Sequence, residues 1–271
     1  MQRVIYSDSA SESLLSRYAD LRWKSKSNTD QNFFVVEGRL CVQRLLQSQM
    51  RVESLLVQKG LEREVSSWLG SNQCPIYVLP REEMKDLVGF DFHRGVLASA
   101  YRPVPYHLHQ FDWSRTTHPV LLAAFGVTET ENLGSMLRTA AGFGVQDILL
   151  DHKSADPFAR RSVRVSMGNV FKQRFYYLNQ TAGQLGEFVA QHSVRTVITT
   201  LSEGATPINL WHADHRPVVL VMGNEATGVD PEIESAASDR VTIPMELNTD
   251  SLNVSVATGI CLYSLLQSFQ A

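Results

Sequence analysis

The chain has 271 residues, 44% of them hydrophobic, and its 25 Lys and Arg against 28 Asp and Glu give a formal net charge of −3 at pH 7. This composition is that of an ordinary globular chain and excludes the disordered, collagen-like and coiled-coil classes. The longest apolar run, near residues 218–222, is far shorter than the roughly 20 residues of a membrane-spanning helix, so no membrane insertion is expected.

The N-terminus and the cysteines predict a cytoplasmic protein. Residues 1–18 carry acidic side chains and no continuous apolar stretch, so neither a secretory nor a transit peptide is expected. Cys41, Cys74 and Cys261 are odd in number and widely spaced, a pattern that fits neither a disulfide framework nor a zinc site. We therefore expect buried free thiols, a reducing compartment and no metal.

Short apolar segments alternate with amphipathic segments in the first 104 residues. An amphipathic helix is predicted at about residues 10–28 and a strand at 33–38. Further helices are predicted at 39–49 and 62–71, and further strands at 52–60, 75–80 and 95–103. This alternation predicts a small α/β domain over residues 1–104, in a chain whose length favours about two domains.

A proline-bearing stretch without apolar periodicity follows, and residues 105–117 are the predicted linker. From residue 118 to 271, apolar strands with little alternation are separated by helical stretches. The predicted strands are 120–126, 147–151, 196–201, 218–223 and 241–245, and the predicted helices are 132–144, 181–192 and about 251–268. This pattern is typical of a parallel sheet covered on both faces.

Turns rich in glycine and side-chain amides follow four of these strands. They are TETENLGSMLR (128–138), LSEGAT (201–206), GNEATGVD (223–230) and ELNTDSLNVS (246–255). Ligands bind beyond the carboxyl ends of the strands in an open parallel sheet, and small residues let the backbone approach a ligand closely. The turns therefore predict a ligand site at this edge.

Several common chemistries lack their motifs. The glycines at 142–144 follow a helix and lack the third glycine of a dinucleotide fingerprint, which disfavours a nicotinamide-dependent oxidoreductase. GNEATG lacks the Lys-Ser/Thr of a phosphate-binding loop. HADH (212–215) offers two imidazoles but no third metal ligand, and no nucleophile-elbow serine is present.

Three segments in order resemble the motifs of the SpoU/TrmH family of RNA ribose 2′-O-methyltransferases. They are NLGSMLRTAAGFG (132–144), VMGNEATGV (221–229) and IPMELNTDSLNVSVATGICLY (243–263). The N-terminal region, from FFVVEG to HRGVLASAYRP, resembles the family's substrate-binding domain, which is similar to ribosomal protein L30e. The resemblance implies an α/β fold with a deep trefoil knot in the C-terminal domain, S-adenosylmethionine as methyl donor, and an active site completed across a homodimer.

The resemblance also implies a catalytic set. Arg138 matches the family's essential arginine, and because a guanidinium is in practice never deprotonated in proteins, we expect it to contact the target phosphate and stabilise the developing alkoxide. Glu225 would orient Arg138 or the target nucleotide, or balance a helix N-terminus. Asn132 would hold the first motif's turn together or touch the substrate.

Ser251 and Asn253 complete the catalytic set. Both are expected to begin the last helix, where either is also a candidate N-cap. Since Asp250 or Ser251 would already serve as the cap, Asn253 is expected to be free for another role.

The methyl donor is expected to be held mainly by main-chain groups. The family's donor positions correspond to Gly223, Ile243 and Leu252, with Leu201 and Met245 as walls beside the adenine. One departure concerns Leu247, where many relatives have glycine, and it bears on the shape of the adenine pocket.

Two basic clusters are candidates for RNA contact, with a solvated surface as the alternative reading of each. One lies between the first two motifs and contains Arg160, Arg161, Arg164 and Lys172, followed by Arg174. The other contains Arg17, Arg22, Lys24 and Lys26 against Asp20, and it flanks Trp23, a candidate stacking surface.

The sequence therefore predicts a cytoplasmic, homodimeric RNA 2′-O-ribose methyltransferase that uses S-adenosylmethionine and no metal. Ribosomal RNA is favoured over transfer RNA, because two-domain members with this N-terminal module more often act on ribosomal RNA. The alternatives are a transfer RNA 2′-O-methyltransferase and a catalytically inactive RNA-binding protein of the same fold.

Overall fold

The structure is a computed structural model that describes residues 4–6, 15–21, 32–91, 93–116, 118–247 and 249–270. The chain divides into two units, of which the first is Met1–Val104 with Pro157–Phe171 and the second is Pro105–Asp156 with Lys172–Ala271. Residues 157–171 lie beyond the predicted linker in sequence and yet pack in the first unit. The predicted domain boundaries stay a prediction.

The helices and strands are numbered in chain order. The strands are β1 (Val4–Tyr6), β2 (Phe33–Glu37), β3 (Val52–Gln58), β4 (Ile76–Leu79), β5 (Val96–Tyr101), β6 (Val120–Ala124), β7 (Asp147–Asp151), β8 (Arg174–Leu178), β9 (Arg195–Thr199), β10 (Thr206–Pro207), β11 (Val218–Met222) and β12 (Asp239–Thr242). The helices are α1 (Arg39–Leu46), α2 (Glu62–Trp68), α3 (Arg81–Val88), α4 (Thr130–Gly142), α5 (Arg160–Val165), α6 (Thr181–His192), α7 (Pro231–Ala236) and α8 (Val254–Ser268).

The first unit is built on a five-stranded mixed sheet in the order β1-β4-β3-β5-β2. β4 pairs in parallel with β1 and β3, whereas β5 runs antiparallel to β3 and β2. The segment 157–171 joins this unit through aromatic packing, because Phe34 of β2, only 2% exposed, has its ring centroid 5.0 Å from that of Phe158 and 6.1 Å from that of Phe171. Most of the helix predicted at residues 10–28 lies outside the described residues.

Helix α3 is absent from the sequence-based prediction, although its signals are present. Pro80 precedes its first turn, Glu82 and Glu83 lie in that turn, and Gly89 ends the helix with a left-handed φ of 79°. Acidic residues favour the N-terminus of a helix and glycine favours its C-terminal end. The buried residues Met84 and Val88, four apart, place its apolar face on the core.

The second unit contains a seven-stranded sheet in the order β10-β12-β9-β11-β6-β7-β8, in which every pairing between strands is parallel. β6 and β11 are buried along their whole length, as expected for central strands covered on both faces. The predicted α/β class, with a parallel sheet after a smaller N-terminal α/β unit, is confirmed. The trefoil knot stays a prediction.

No helix in the described ranges has the length and apolar content needed to cross a membrane.

Candidate active site

The turns singled out in the sequence meet at one edge of the parallel sheet. β12, β9, β11 and β6 are neighbours in that order, so their carboxyl ends lie side by side. From β6 the chain continues to β7 on one side, and from β11 it continues to β12 on the other. Strands whose connections diverge in this way leave a crevice beyond their carboxyl ends, where α/β sheets bind ligands.

Asn224 fastens the turn after β11 to the turn after β6. Its Nδ2 donates to the carbonyl of Gly126 at 2.8 Å, and its Oδ1 accepts from the backbone N–H groups of Ala226 and Thr227 at 2.9 and 3.0 Å. Its backbone forms a reciprocal pair of 2.9 Å hydrogen bonds with Gly228. No role was predicted for Asn224, although it lies within the GNEATG segment.

Gly223 lies where the same turn folds back on itself. A Cβ at this position would be 2.4 Å from the carbonyl carbon and oxygen of Gly228 and 2.5 Å from the backbone nitrogen of Val229. Both contacts are to backbone, which yields less readily than the end of a side chain. Only glycine therefore fits this close approach of two chain segments.

A chain of side-chain hydrogen bonds, here called the amide relay, joins Asn253, Asn132 and Glu225. Asn253 Nδ2 donates to Asn132 Oδ1 at 2.9 Å, and Asn132 Nδ2 donates to Glu225 Oε1 at 2.6 Å. The three residues come from the three motif segments, up to 121 positions apart in the chain. The fold thus brings together three of the five predicted catalytic residues.

Asn253 has a second role, which the sequence-based prediction disfavoured in comparison with Asp250 and Ser251. Its Oδ1 accepts from the backbone N–H of Ser255 at 2.9 Å, which makes it the N-cap of α8. The helix begins at Val254 rather than near Ser251, so the expectation that Asp250 or Ser251 would be the cap is wrong. An asparagine amide has both a donor and an acceptor end, and Asn253 uses one for the cap and the other for the relay.

A cavity of about 510 Å³ opens beside the relay. It falls within the size range of small-molecule sites. Its lining includes all five residues predicted to hold the donor, namely Leu201, Gly223, Ile243, Met245 and Leu252. Glu225 and Ser251 of the predicted catalytic set line it as well.

The charge of the cavity wall selects among ligands. Among the described residues that line it there is no lysine, arginine or histidine, and the ionisable ones are the carboxylates Glu225 and Glu234. Glu234 Oε1 accepts from the hydroxyls of Thr200 and Ser202 at 3.0 and 3.2 Å. Negative wall charges repel a polyphosphate and attract a cation, so a neutral or cationic ligand suits the cavity and a dinucleotide does not.

Arg138 is not part of the amide relay or of the cavity wall. It lies six residues after Asn132 on α4, about 120° around the helix from it. The side chain is exposed and makes no hydrogen bond or ion pair with other described residues. Within one protomer, the predicted essential arginine is therefore separate from its predicted partners.

Leu247 has a left-handed backbone conformation, which favours glycine, the residue expected here from the family pattern. Its φ is 56°, in the left-handed region, and its side chain is 95% exposed. It is not among the residues that line the cavity. The departure from the family pattern thus places a leucine in a backbone conformation that favours glycine, and its side chain is not part of the cavity wall.

The basic residues predicted to bind RNA lie in different surroundings. Arg160 donates to the buried carboxylate of Glu37 and to the carbonyl of Leu21, and its guanidinium lies over the ring of Phe90, so this side chain is engaged inside the first unit. Arg164 is half-buried, with Nη1 3.9 Å from Glu37. Arg161 and Lys172 are exposed, and Arg22 and Lys24 lie outside the described residues.

The three cysteines and the HADH segment lie in distinct surroundings. All three cysteines are buried, and burial raises the pKa of Cys74 to about 11 and that of Cys261 to about 12. A thiol that stays protonated is a poor nucleophile. No group of three metal-ligating side chains occurs in the described part of the chain, and Asp214 of the HADH segment instead pairs with Arg216, whose hydrogen bond lowers the pKa of that carboxyl to about 2.

Replacing Asn132 with aspartate should turn the relay's strongest contact into a repulsion. A second carboxylate would then face Glu225 across a 2.6 Å contact, and two ionised carboxylates at that distance repel. We expect a loss of about 1 kcal/mol in the free energy of unfolding at pH 8 and a smaller loss at pH 4.5, measured by thermal denaturation. Asn132→Ala, which adds no charge, is the control and should lose the same amount at both pH values; a loss independent of pH for the aspartate variant would contradict the repulsion.

Both units of the chain match known protein families. Residues 119–263 match the model of the SpoU rRNA Methylase family, and residues 35–104 match that of the RNA 2′-O ribose methyltransferase substrate-binding domain. The 23S rRNA (guanosine-2′-O-)-methyltransferase RlmB of Acinetobacter baylyi is 35% identical over 187 residues, which are 68% of this chain and 74% of the relative.

Solved structures show the same fold. An RNA methyltransferase of the TrmH family from Porphyromonas gingivalis is 26% identical and superposes with a TM-score of 0.77, over 95% of this chain and 98% of its own. An rRNA methyltransferase from Sinorhizobium meliloti, solved with AdoMet bound, is 24% identical with a TM-score of 0.79, over 96% of this chain and 97% of its own. Both superpositions cover nearly the whole chain.

Proposed function

Because the chain belongs to the SpoU family of rRNA methylases, we propose that it transfers a methyl group from S-adenosylmethionine to a ribose 2′-hydroxyl of ribosomal RNA. The amide relay is the observation that carries this proposal, since it assembles residues of all three motif segments at the mouth of one cavity. The RlmB relative from Acinetobacter baylyi, named as a guanosine 2′-O-methyltransferase of 23S rRNA, supports the choice of substrate.

The cavity suits this methyl donor. When bound, S-adenosylmethionine supplies a methyl group already activated on a positively charged sulfur. A wall with two carboxylates and no basic side chain favours that positive charge. Leu201 and Met245 would contact the adenine, while the backbone of Gly223, Ile243 and Leu252 would hold the polar groups.

The residues of the chain must position the ribose and assist removal of the proton from its 2′-hydroxyl. The reaction joins the 2′-oxygen to the methyl carbon, breaks the bond from that carbon to sulfur, and releases the hydroxyl proton. Glu225 has one oxygen fixed by Asn132, and we assign its other oxygen to accept a hydrogen bond from the 2′-hydroxyl. Arg138 binds the neighbouring phosphate and stabilises the negative charge that develops on the 2′-oxygen.

A homodimer would bring Arg138 to this site. Val256 and Tyr263 lie seven residues apart on α8, hence on one face, and are 51% and 56% exposed. The same helix passes α4 next to Arg138, since a Cβ on Gly259 would be 3.5 Å from Thr139 Cγ2. The exposed apolar face of α8 therefore favours binding of a second copy of the chain. Arg138, which has no partner among the described residues, would then enter the active site of that second copy.

The test is methyl transfer to defined RNAs. Purified protein is incubated with labelled S-adenosylmethionine and either ribosomal or transfer RNA, and the modified ribose is mapped. We expect a single class of 2′-O-methyl site in ribosomal RNA and a donor-dependent rise in melting temperature. Methylation of transfer RNA alone would overturn the choice of substrate, whereas RNA binding without transfer or donor stabilisation would identify an inactive RNA-binding protein. The cytoplasmic location belongs to the same proposal.

A further inference from the structure

One end of the first unit's sheet carries a row of arginine and aromatic side chains in contact with one another. It is here called the arginine–aromatic ladder and is formed by Arg17, Phe33, Tyr101 and Arg51. Phe33 and Tyr101 are direct partners across β2 and β5, with ring centroids 4.7 Å apart. The guanidinium carbon of Arg17 lies 3.7 Å from the centroid of Phe33, and that of Arg51 lies 4.1 Å from the centroid of Tyr101.

A third arginine lies beside the ladder. Arg102 lies next to it, with Nε donating to the carbonyl of Phe33 at 3.2 Å. Glu53 lies against the ladder, with Oε1 3.5 Å from Arg17 Nε, and its other oxygen accepts from Ser99 at 2.6 Å. Arg17, Arg51 and Arg102 thus bring three guanidinium groups to this end of the sheet, and concentrated positive charge attracts a polyanion.

Arg51 is the member of the ladder most available to a partner. It is exposed and has no carboxylate partner among the described residues. Its guanidinium carbon lies 4.1 Å from the centroid of the Tyr101 ring, so this contact restrains the planar group while the side chain stays exposed. Such a group can stack on an unpaired base and donate to a phosphate at the same time.

We propose that the arginine–aromatic ladder is an RNA-binding surface of the first unit, on which Arg51 stacks against an unpaired base and donates to an adjacent phosphate. The inference rests on the proposed function in one respect, that the substrate is RNA. Of the four ladder residues, only Arg17 belongs to a basic cluster predicted from the sequence to contact RNA. The four lie far apart in the chain and become neighbours only through the pairing of β2 with β5 and the position of β3 beside them.

The test compares Arg51→Ala with Arg63→Ala in the full-length protein. Arg63 is an exposed arginine on α2 of the same unit and makes no hydrogen bond or ion pair with other described residues, so it controls for loss of one positive charge. Binding to ribosomal RNA is measured by fluorescence anisotropy over a range of salt concentrations, together with kcat, KM for RNA, and the donor-dependent shift in melting temperature.

We expect Arg51→Ala to raise Kd and KM for RNA about tenfold, to reduce the slope of log Kd against log salt by about one, and to leave kcat and the donor-dependent shift unchanged. Arg51→Lys keeps the charge and should restore the salt slope with only part of the affinity, because an ammonium group cannot stack. Arg63→Ala should bind RNA as the unmodified protein does.

The inference is overturned if Arg51→Ala binds RNA normally, or if Arg63→Ala loses as much affinity, since the loss would then reflect total charge. Failure of the proposed function gives a different result: the unmodified protein would transfer no methyl group to RNA, whatever the ladder variants bind.

Discussion

Replacing Arg138 with alanine is expected to lower kcat/KM for RNA methylation by about 100-fold or more, the loss typical of removing one group that stabilises charge in a transition state. The stability of the folded protein should change little. Arg138 is exposed and has no hydrogen-bond or ion-pair partner among the described residues, so the free energy of unfolding should shift by no more than about 0.5 kcal/mol. Steady-state methyl transfer and thermal denaturation measure the two effects separately.

A mixing experiment decides whether Arg138 serves its own protomer or a partner. The second variant is Ala257→Phe, designed to fill part of the cavity that Ala257 lines, with exclusion of the donor checked by loss of the donor-dependent shift in melting temperature. If Arg138 acts across a dimer, each mixed dimer has one site with an intact cavity and an intact arginine, and mixing the two inactive variants restores activity. No restoration in dimers shown to have exchanged subunits would place Arg138 in its own protomer's site.

Replacing Gly223 with alanine is expected to destabilise the second unit by about 3 kcal/mol, toward the upper end of overpacking effects. The added Cβ would be 2.4 Å from the backbone of Gly228, so the turn after β11 must open. Opening it strains the bonds that Asn224 makes on both sides and widens the cavity. We expect the donor-dependent rise in melting temperature to be lost as well, measured by thermal denaturation with and without S-adenosylmethionine.

Gly186→Ala is the matched control, because the same substitution should act there in the opposite direction. Gly186 is exposed within α6, and a Cβ on it would have no neighbour within 4 Å. Alanine at an exposed helix position is favoured over glycine by up to about 1 kcal/mol, so this variant should be slightly more stable and should bind the donor normally. A destabilised Gly186→Ala or an unaffected Gly223→Ala would contradict the assignment.

The location of the candidate site follows from local sequence patterns. Apolar strands such as 218–223 predict central parallel strands, and parallel strands place their carboxyl ends at one edge. The turns that begin at Gly223 and Glu246 were thereby expected to lie near each other, and their residues do line a single cavity. This much could be predicted because burial on both faces leaves a continuous apolar run in the sequence.

The contacts within the site could not be predicted in the same way. The relay depends on Asn253 using both ends of its amide, and a capping preference read from sequence cannot say which of several polar residues forms the cap. Arg160 was grouped with its basic neighbours, yet it is held by Glu37, 123 positions away in the chain. Pairings of this range depend on tertiary packing, which charge patterns along the chain do not record.

The aromatic contacts of residues 157–171 also have a consequence for how the chain folds as it is synthesised. Phe34 is buried against Phe158 and Phe171, so the first unit cannot complete its core when residue 104 leaves the ribosome. It must wait while residues 105–156, which belong to the second unit, are made. The nascent N-terminal unit thus exposes an aromatic surface during elongation, and its final packing coincides with the folding of the second unit instead of preceding it.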